Sequence, residues 1–205
     1  MPHPFQRRET RRRIARKVLI GYEGKTELYY LEAIQSEHRL PAIQFVKADG
    51  HDPLSVVSAV MRALDEQSME RGGWRKGDTA WAVFDGDEHI ENSEANWKAA
   101  LRLAEQKGIE LAITNPCFEL WYLLHFQDQF ARLSRNQAQA SLKRRLPNYE
   151  KTRTLYPDPL RDLTDTAIER AKALEARAVD NRLPPHQNPC AGAYKLVELL
   201  LSLAR

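Results

Sequence analysis

The chain has 205 residues, of which 42% are hydrophobic and 29% are charged, a balance typical of a globular protein and not of a disordered one. No apolar run approaches the roughly 18 residues that a membrane span needs, and residues 1–17 lack the apolar core of a secretory signal. We therefore expect a cytoplasmic protein without membrane contact. Cys117 and Cys190 lack the paired Cys/His spacing of a structural zinc site, so we expect two free thiols.

Positive charge is concentrated near the start of the chain, although the net charge is only +3. Seven residues between positions 7 and 17 are Arg or Lys, against the single acid Glu9. Such a block can neutralise phosphates, so residues 1–16 are predicted to form a basic arm that binds nucleic acid through Arg11, Arg12 and Arg13. A solubilising tail explains the same composition equally well.

Short apolar runs alternate with helical patterns through the first part of the chain. Runs that stop at a turn or a polar residue predict four strands, at 17–22, 43–47, 79–84 and 109–113. Apolar residues three or four positions apart predict helices after each strand, at about 26–36, 53–67, 93–107 and 120–126. Thr26 is the expected N-cap of the first helix, and Gly108 the expected C-cap of the third.

This alternating order predicts an α/β fold, with a parallel sheet of about four strands and helices on both faces. Residues 17–128 are predicted to form this core. Residues 129–205 are predicted to form a helical extension packed on the core, without a strand, and its last helix is expected at about 191–203.

Acidic side chains follow two of the predicted strands at the point where each strand ends. Glu23 follows the first strand, with Glu27 one helical turn further on, and Asp85 and Asp87 follow the third. In open α/β sheets, ligand sites form beyond the carboxyl ends of the strands. Clustered carboxylates raise one another's pKa unless a cation is present, and oxygen ligands suit Mg²⁺ or Mn²⁺. The pattern predicts a metal site, whereas each pair of acids alone is also typical of a solvated turn.

Other polar residues near these strand ends have both a functional and an ordinary explanation. Asn115 and Glu119 follow the fourth strand and are candidate metal or water ligands, Glu119 with a catalytic role, or else a helix cap with an acid in the first turn. His89 is a candidate proton shuttle or phosphate contact, although solvent-facing histidines are commoner in such loops. Cys117 and His125 are expected to be buried packing residues.

The acidic segments resemble the two Toprim motifs, LIGYEGKTE at 19–27 matching the first and VFDGD at 83–87 the second. From residue 17 onward the chain is more specifically similar to the RloB-like family of bacterial defence-associated proteins. That similarity rests on EGKTELYY at 23–30, GHDP at 50–53, FDGDEH at 84–89, NPCFELWYLLHF at 115–126, LPNYEK at 146–151 and NPCAGAYKLVE at 188–198.

The resemblance implies a Toprim-like fold and cleavage of phosphodiester bonds with Mg²⁺. It maps Glu23, Asp85 and Asp87 onto the Toprim acidic triad, in which the Glu acts as acid or base and the Asp pair binds Mg²⁺, and it makes Glu27 an auxiliary ligand. It further implies a role in antiviral defence or abortive infection beside an ATPase partner of the AAA or ABC type.

Basic side chains outside the arm are predicted to contact a nucleic-acid substrate, and they are Lys25, Lys143, Arg144, Arg145 and Lys151. Asn188 is a candidate for returning the C-terminal loop to the site. Three functions stay open at this point: a nuclease acting on DNA or RNA, transfer RNA included; a non-catalytic partner subunit of a defence ATPase; and a phosphatase or transferase of another α/β class. Assembly of the chain into a homo-oligomer is open as well.

Overall fold

One mixed sheet organises the protein in a computed structural model that describes residues 15–70, 73–86, 89–90, 93–151 and 153–204. Its strands are β1 (Val18–Tyr22), β2 (Ile43–Lys47), β3 (Thr79–Asp85), β4 (Ile109–Asn115) and β5 (Cys190–Ala191). Their order across the sheet is β2-β1-β3-β4-β5. The first four strands run parallel, and β5 is antiparallel to β4.

Helices cover both faces of this sheet. Their bounds are α1 (Lys25–Glu37), α2 (Pro53–Met69), α3 (Glu94–Lys107), α4 (Glu119–Leu124), α5 (Arg135–Arg145), α6 (Thr164–Asp180) and α7 (Ala193–Leu203), with a 3₁₀ turn at Arg161–Leu163 before α6. The predicted α/β class, with a largely parallel sheet between helical layers, is confirmed. None of the described helices is long and apolar enough to cross a membrane.

Two hydrophobic clusters pack the helices against the sheet. On one face, α2 and α3 bury Val57, Val60 and Trp97 against Leu19 and Phe84 of the strands. The other face is packed by α1, α4, α5, α6 and α7, whose buried aromatic and aliphatic residues form the larger cluster. Because both faces are covered, the central strands are almost continuously buried, as parallel strands require.

Local signals place most helix ends where the sequence predicts them. Pro53 opens α2, and the Asp52 side chain caps it by accepting a hydrogen bond from the Ser55 N–H at 3.1 Å. Gly108 ends α3, as predicted. The prediction for Thr26 was wrong, because the N-cap of α1 is Gly24 and no side chain caps that helix.

The C-terminal region contains a strand that the sequence analysis did not predict. β5 has only two residues, too few for a periodic pattern, and it pairs with the end of β4. The neighbouring Gly192 N–H donates to the Ile113 carbonyl at 2.7 Å, which extends that pairing. The last helix accordingly begins at Ala193. The division into an arm, a core and an extension stays a prediction.

Candidate metal centre

A cleft of about 480 Å³ opens at the carboxyl ends of the parallel strands. Four predicted acids line it: Glu23 follows β1, Glu27 lies in the first turn of α1, Asp85 ends β3, and Glu119 begins α4. The strands β1, β3 and β4 are neighbours in the sheet, so their ends bring together residues up to about a hundred positions apart. The cleft therefore collects negative charge from separate parts of the chain.

Glu23 and Asp85 are linked directly. One carboxylate oxygen of Glu23, Oε2, accepts a hydrogen bond from the Asp85 N–H at 3.3 Å. Asp85 is 6% exposed, and its Oδ1 accepts from the Phe118 N–H at 2.9 Å while its Oδ2 lies 3.0 Å from Nη1 of Arg135. Burial and the nearby Glu27 carboxylate raise the pKa of Asp85 well above its ordinary value, against the opposing effect of Arg135.

Glu27 is the least compensated acid of the cleft. It is 4% exposed, and within the described residues its Oε2 has no hydrogen-bond partner. A Cβ on Gly24 would lie 2.8 Å from this oxygen, so a larger residue there would push the Glu27 carboxylate away from its present position. Burial is the main cause that raises the pKa of Glu27 to about 7, and the carboxylates of Glu23 and Glu119 add to it.

Glu119 is held by the segment before α6. It is 2% exposed, its Oε1 accepts a hydrogen bond from the Tyr149 hydroxyl at 3.2 Å, and the ammonium group of Lys151 lies 3.6 Å from the same oxygen. Tyr149 and Lys151 both belong to the LPNYEK segment. One of the predicted basic residues therefore contacts one of the predicted acids.

The remaining predicted residues are distributed unevenly around the cleft. His89 Nε2 lies 3.6 Å from Glu23 Oε1, and Lys25 lines the cleft. By contrast, residues 143–145 are exposed in the last turn of α5 and are not part of the cleft wall. Asp87 and the arginines of the arm, Arg11, Arg12 and Arg13, lie outside the described residues.

The two predicted asparagines attach the loop before β5 rather than lining the cleft. Asn115 donates through Nδ2 to the His186 carbonyl at 2.9 Å. The side chain of Asn188 makes two hydrogen bonds to the backbone of Leu133, accepting from its N–H at 3.2 Å and donating to its carbonyl at 2.7 Å. Leu133 lies two residues before Arg135, so Asn188 fixes the chain immediately ahead of α5.

A family model described as RloB-like protein matches residues 18–200. The chain belongs to the RloB-like family. No curated protein and no solved structure matches it. The matched range runs from β1 into α7, so it contains all four acids of the cleft as well as Arg135 and Lys151.

Arg135, like Tyr149, makes a contact in this RloB-like protein that the sequence analysis missed. It is the first residue of α5, directly after Ser134, which forms a capping box with Gln137. That capping pattern could have predicted where the helix begins. It could not have predicted that the guanidinium reaches Asp85, since the two residues are fifty positions apart in the sequence.

The oxygen ligands of the cleft fit a hard divalent cation by type, because Mg²⁺ and Mn²⁺ prefer carboxylate oxygens. The Oε2 of Glu27 has no hydrogen-bond partner among the described residues, and burial together with the neighbouring carboxylates raises the pKa of Glu27 and Asp85, so a bound cation would favour their charged forms. Within the described ranges, no three Asp, Glu, His or Cys side chains are already arranged to hold a metal ion. The side chains of Glu23, Glu27 and Asp85 are those that would hold one.

Proposed function

We propose that this RloB-like protein is an Mg²⁺- or Mn²⁺-dependent nuclease that hydrolyses phosphodiester bonds in DNA or RNA, transfer RNA included. One observation carries the proposal: four buried or half-buried carboxylates from three neighbouring strand ends line one cleft together with Arg135 and Lys151. Carboxylates can bind the metal, and the two cations can attract a phosphate. A role in antiviral defence with an ATPase partner in the cytoplasm is proposed from the family resemblance alone.

In this proposal the carboxylates and the cations of the cleft have different roles. Glu23, Glu27 and Asp85 hold the divalent ion, which when bound polarises a phosphoryl oxygen and lowers the pKa of water. Arg135 and Lys151 orient the negatively charged phosphate and stabilise the charge that develops on it. Glu23 Oε1 lies 3.6 Å from His89 Nε2, and a shorter approach in the substrate complex would let the two groups exchange a proton.

A non-catalytic partner subunit is the second candidate, and one observation favours it. Both carboxylate oxygens of Asp85 already have partners, the Phe118 N–H and the Arg135 guanidinium. A buried ion pair of this kind can serve structure alone. In that case Asp85 would contribute to folding, and the biological activity would depend on a protein surface instead.

Cleavage assays with the full-length chain separate the two candidates. Labelled single-stranded and duplex DNA, RNA and transfer RNA would be incubated with Mg²⁺, with Mn²⁺ or with EDTA. The proposal expects metal-dependent cleavage that Asp85→Asn lowers by at least about a hundredfold, the scale on which single catalytic groups act. Glu66→Gln, an exposed acid on α2, is the matched control and should cleave like the wild type.

Two results would contradict the nuclease. The first is an absence of cleavage with every substrate and metal. The second is full protection of cells against phage by an Asp85→Asn chain that still folds, since in a partner subunit this carboxylate would serve the fold alone. Circular dichroism of the variant establishes that it is folded in either case.

A further inference from the structure

The cleft continues past the acids to an end that the proposed chemistry does not use. Tyr22, the last residue of β1, is paired in register with Lys47, the last residue of β2. Lys25 and Tyr29 lie one turn apart on α1. All four residues line the same cleft as Glu23 and Asp85, and we call them the tyrosine–lysine end.

The two tyrosines of this end are not part of the hydrophobic core. Tyr30, the neighbour of Tyr29, is fully buried and packs edge-on against Phe118 with ring centroids 5.6 Å apart. Tyr22 and Tyr29 are only half-buried, although aromatic rings are usually covered when they serve packing alone. Their partly open rings are therefore available to a ligand that enters the cleft.

Two lysines bring positive charge to this end, where the carboxylate of Glu32 also acts on Tyr22. Lys25 and Lys47 are both exposed, and neither forms an ion pair with any other residue that the structure describes. Paired strand ends place Tyr22 beside Lys47, and helical spacing places Tyr29 above Lys25. Each aromatic ring therefore has a neighbouring cation, which is the combination that proteins use to hold single strands of nucleic acid.

We propose that the tyrosine–lysine end binds one unpaired nucleobase and its phosphate, so that the substrate is a single-stranded or looped segment of nucleic acid. This inference rests on the proposed nuclease function. Every base has a face that can stack on tyrosine, and lysine neutralises the backbone. The whole cleft, with the acids included, has a volume of about 480 Å³, which is within the range of sites for small organic groups. A base within a duplex is already stacked and paired, and would have to leave the helix to enter.

Binding measurements in EDTA test the inference without cleavage. The probes are a fluorescein-labelled single-stranded oligonucleotide and a blunt duplex of the same sequence, followed by anisotropy with the full-length chain. Tyr29→Ala should weaken binding of the single strand by about five- to a hundredfold, the range of one base-stacking contact, and leave duplex binding unchanged. Tyr29→Phe keeps the ring and should restore wild-type affinity.

Two further variants control this experiment. Phe130→Ala removes an exposed aromatic residue that does not line the cleft, and it should change neither affinity. Lys47→Ala should weaken binding of both probes and flatten the salt dependence of single-strand binding by about 0.7 in the slope of log K against log salt concentration. Tyr22→Leu provides a second loss-of-stacking variant should Tyr29→Ala not fold.

The possible results test the base-binding site separately from the nuclease function. Equal effects of Tyr29→Ala and Tyr22→Leu on single strand and duplex, or no effect on either, would overturn the base site while leaving the nuclease proposal intact. Failure of the wild-type chain to bind either probe, together with an absence of cleavage, would remove both. Selective loss of single-strand binding with rescue by Tyr29→Phe supports the base site.

Discussion

Replacing Glu27 by Gln should stabilise the protein at alkaline pH and change it little at acidic pH. Burial raises the pKa of Glu27 from its ordinary value of 4.5 to about 7. Between these two pH values the folded protein keeps a proton that the unfolded chain has released, so the free energy of unfolding falls as the pH rises and stays low above about pH 7. Glutamine carries no charge, and the variant therefore escapes this loss.

The size of the effect follows from the same two values. One pH unit corresponds to about 1.4 kcal/mol, so the full loss amounts to about 3 kcal/mol. Part of this loss of stability has already occurred near pH 5. The stability difference between Glu27→Gln and the wild type should therefore grow by about 2–3 kcal/mol between about pH 5 and about pH 8.

Urea denaturation in EDTA at both pH values measures this difference. Glu32→Gln is the matched control, because Glu32 is exposed on the same helix and its replacement should give a small difference that does not vary with pH. If the free energies of unfolding of Glu27→Gln and the wild type differed by the same amount at both pH values, the folded protein would not hold a proton on Glu27.

Magnesium extends the same measurement to the proposed metal site. An ion that binds only the folded wild type stabilises it by mass action. Addition of Mg²⁺ near pH 8 should therefore reduce the difference in the free energy of unfolding between the wild type and Glu27→Gln. If Mg²⁺ raised the free energy of unfolding of both proteins equally, Glu27 would not be a ligand of the ion.

Two further substitutions probe the packing around the site. Arg135→Gln should lower the free energy of unfolding by about 2–4 kcal/mol at alkaline pH, where Asp85 is ionised, because it leaves the buried Asp85 carboxylate without its cation. As the control, Arg144→Gln on the exposed face of α5 should lower it by less than about 0.5 kcal/mol. Adding Asp85→Asn to Arg135→Gln should recover part of the loss, and purely additive effects in denaturation experiments would contradict the pairing. Gly21→Ala should cost about 1–3 kcal/mol, since the new Cβ would lie 2.2 Å from Val60 Cγ2, and Val60→Ala should relieve it; an unchanged unfolding midpoint of the single variant would disprove the clash.

The apolar runs predicted the strands well but ended two of them early. β3 continues to Asp85 and β4 to Asn115, beyond the predicted ends at 84 and 113. The reason is that backbone pairing does not stop where hydrophobicity does: Asp85 is still in register with Thr114. Asp85 therefore belongs to β3 itself and lines the cleft, whereas Asn115 belongs to β4 and holds the loop before β5.

The acids could be predicted because each one lies at the end of a short apolar strand or a few residues after it, and strand ends at one edge of a parallel sheet must meet. Arg135 and Tyr149 could not be predicted in the same way. Their contacts with Asp85 and Glu119 join segments that are fifty and thirty residues apart, and no local periodicity carries that information. The C-terminal region was predicted as a helical extension, yet it supplies these partners of the acids.

The position of Arg135 depends in turn on residues still further along the chain. Asn188 holds Leu133 through both of its amide atoms, just ahead of α5. The same loop is tied at His186 to Asn115, which ends β4 beside the cleft. The loop thus connects the sheet edge that carries the acids to the start of the helix that carries their cation. Neither asparagine needs to touch a substrate to matter, because loosening either one would let Arg135 move away from Asp85 and leave a buried carboxylate uncompensated.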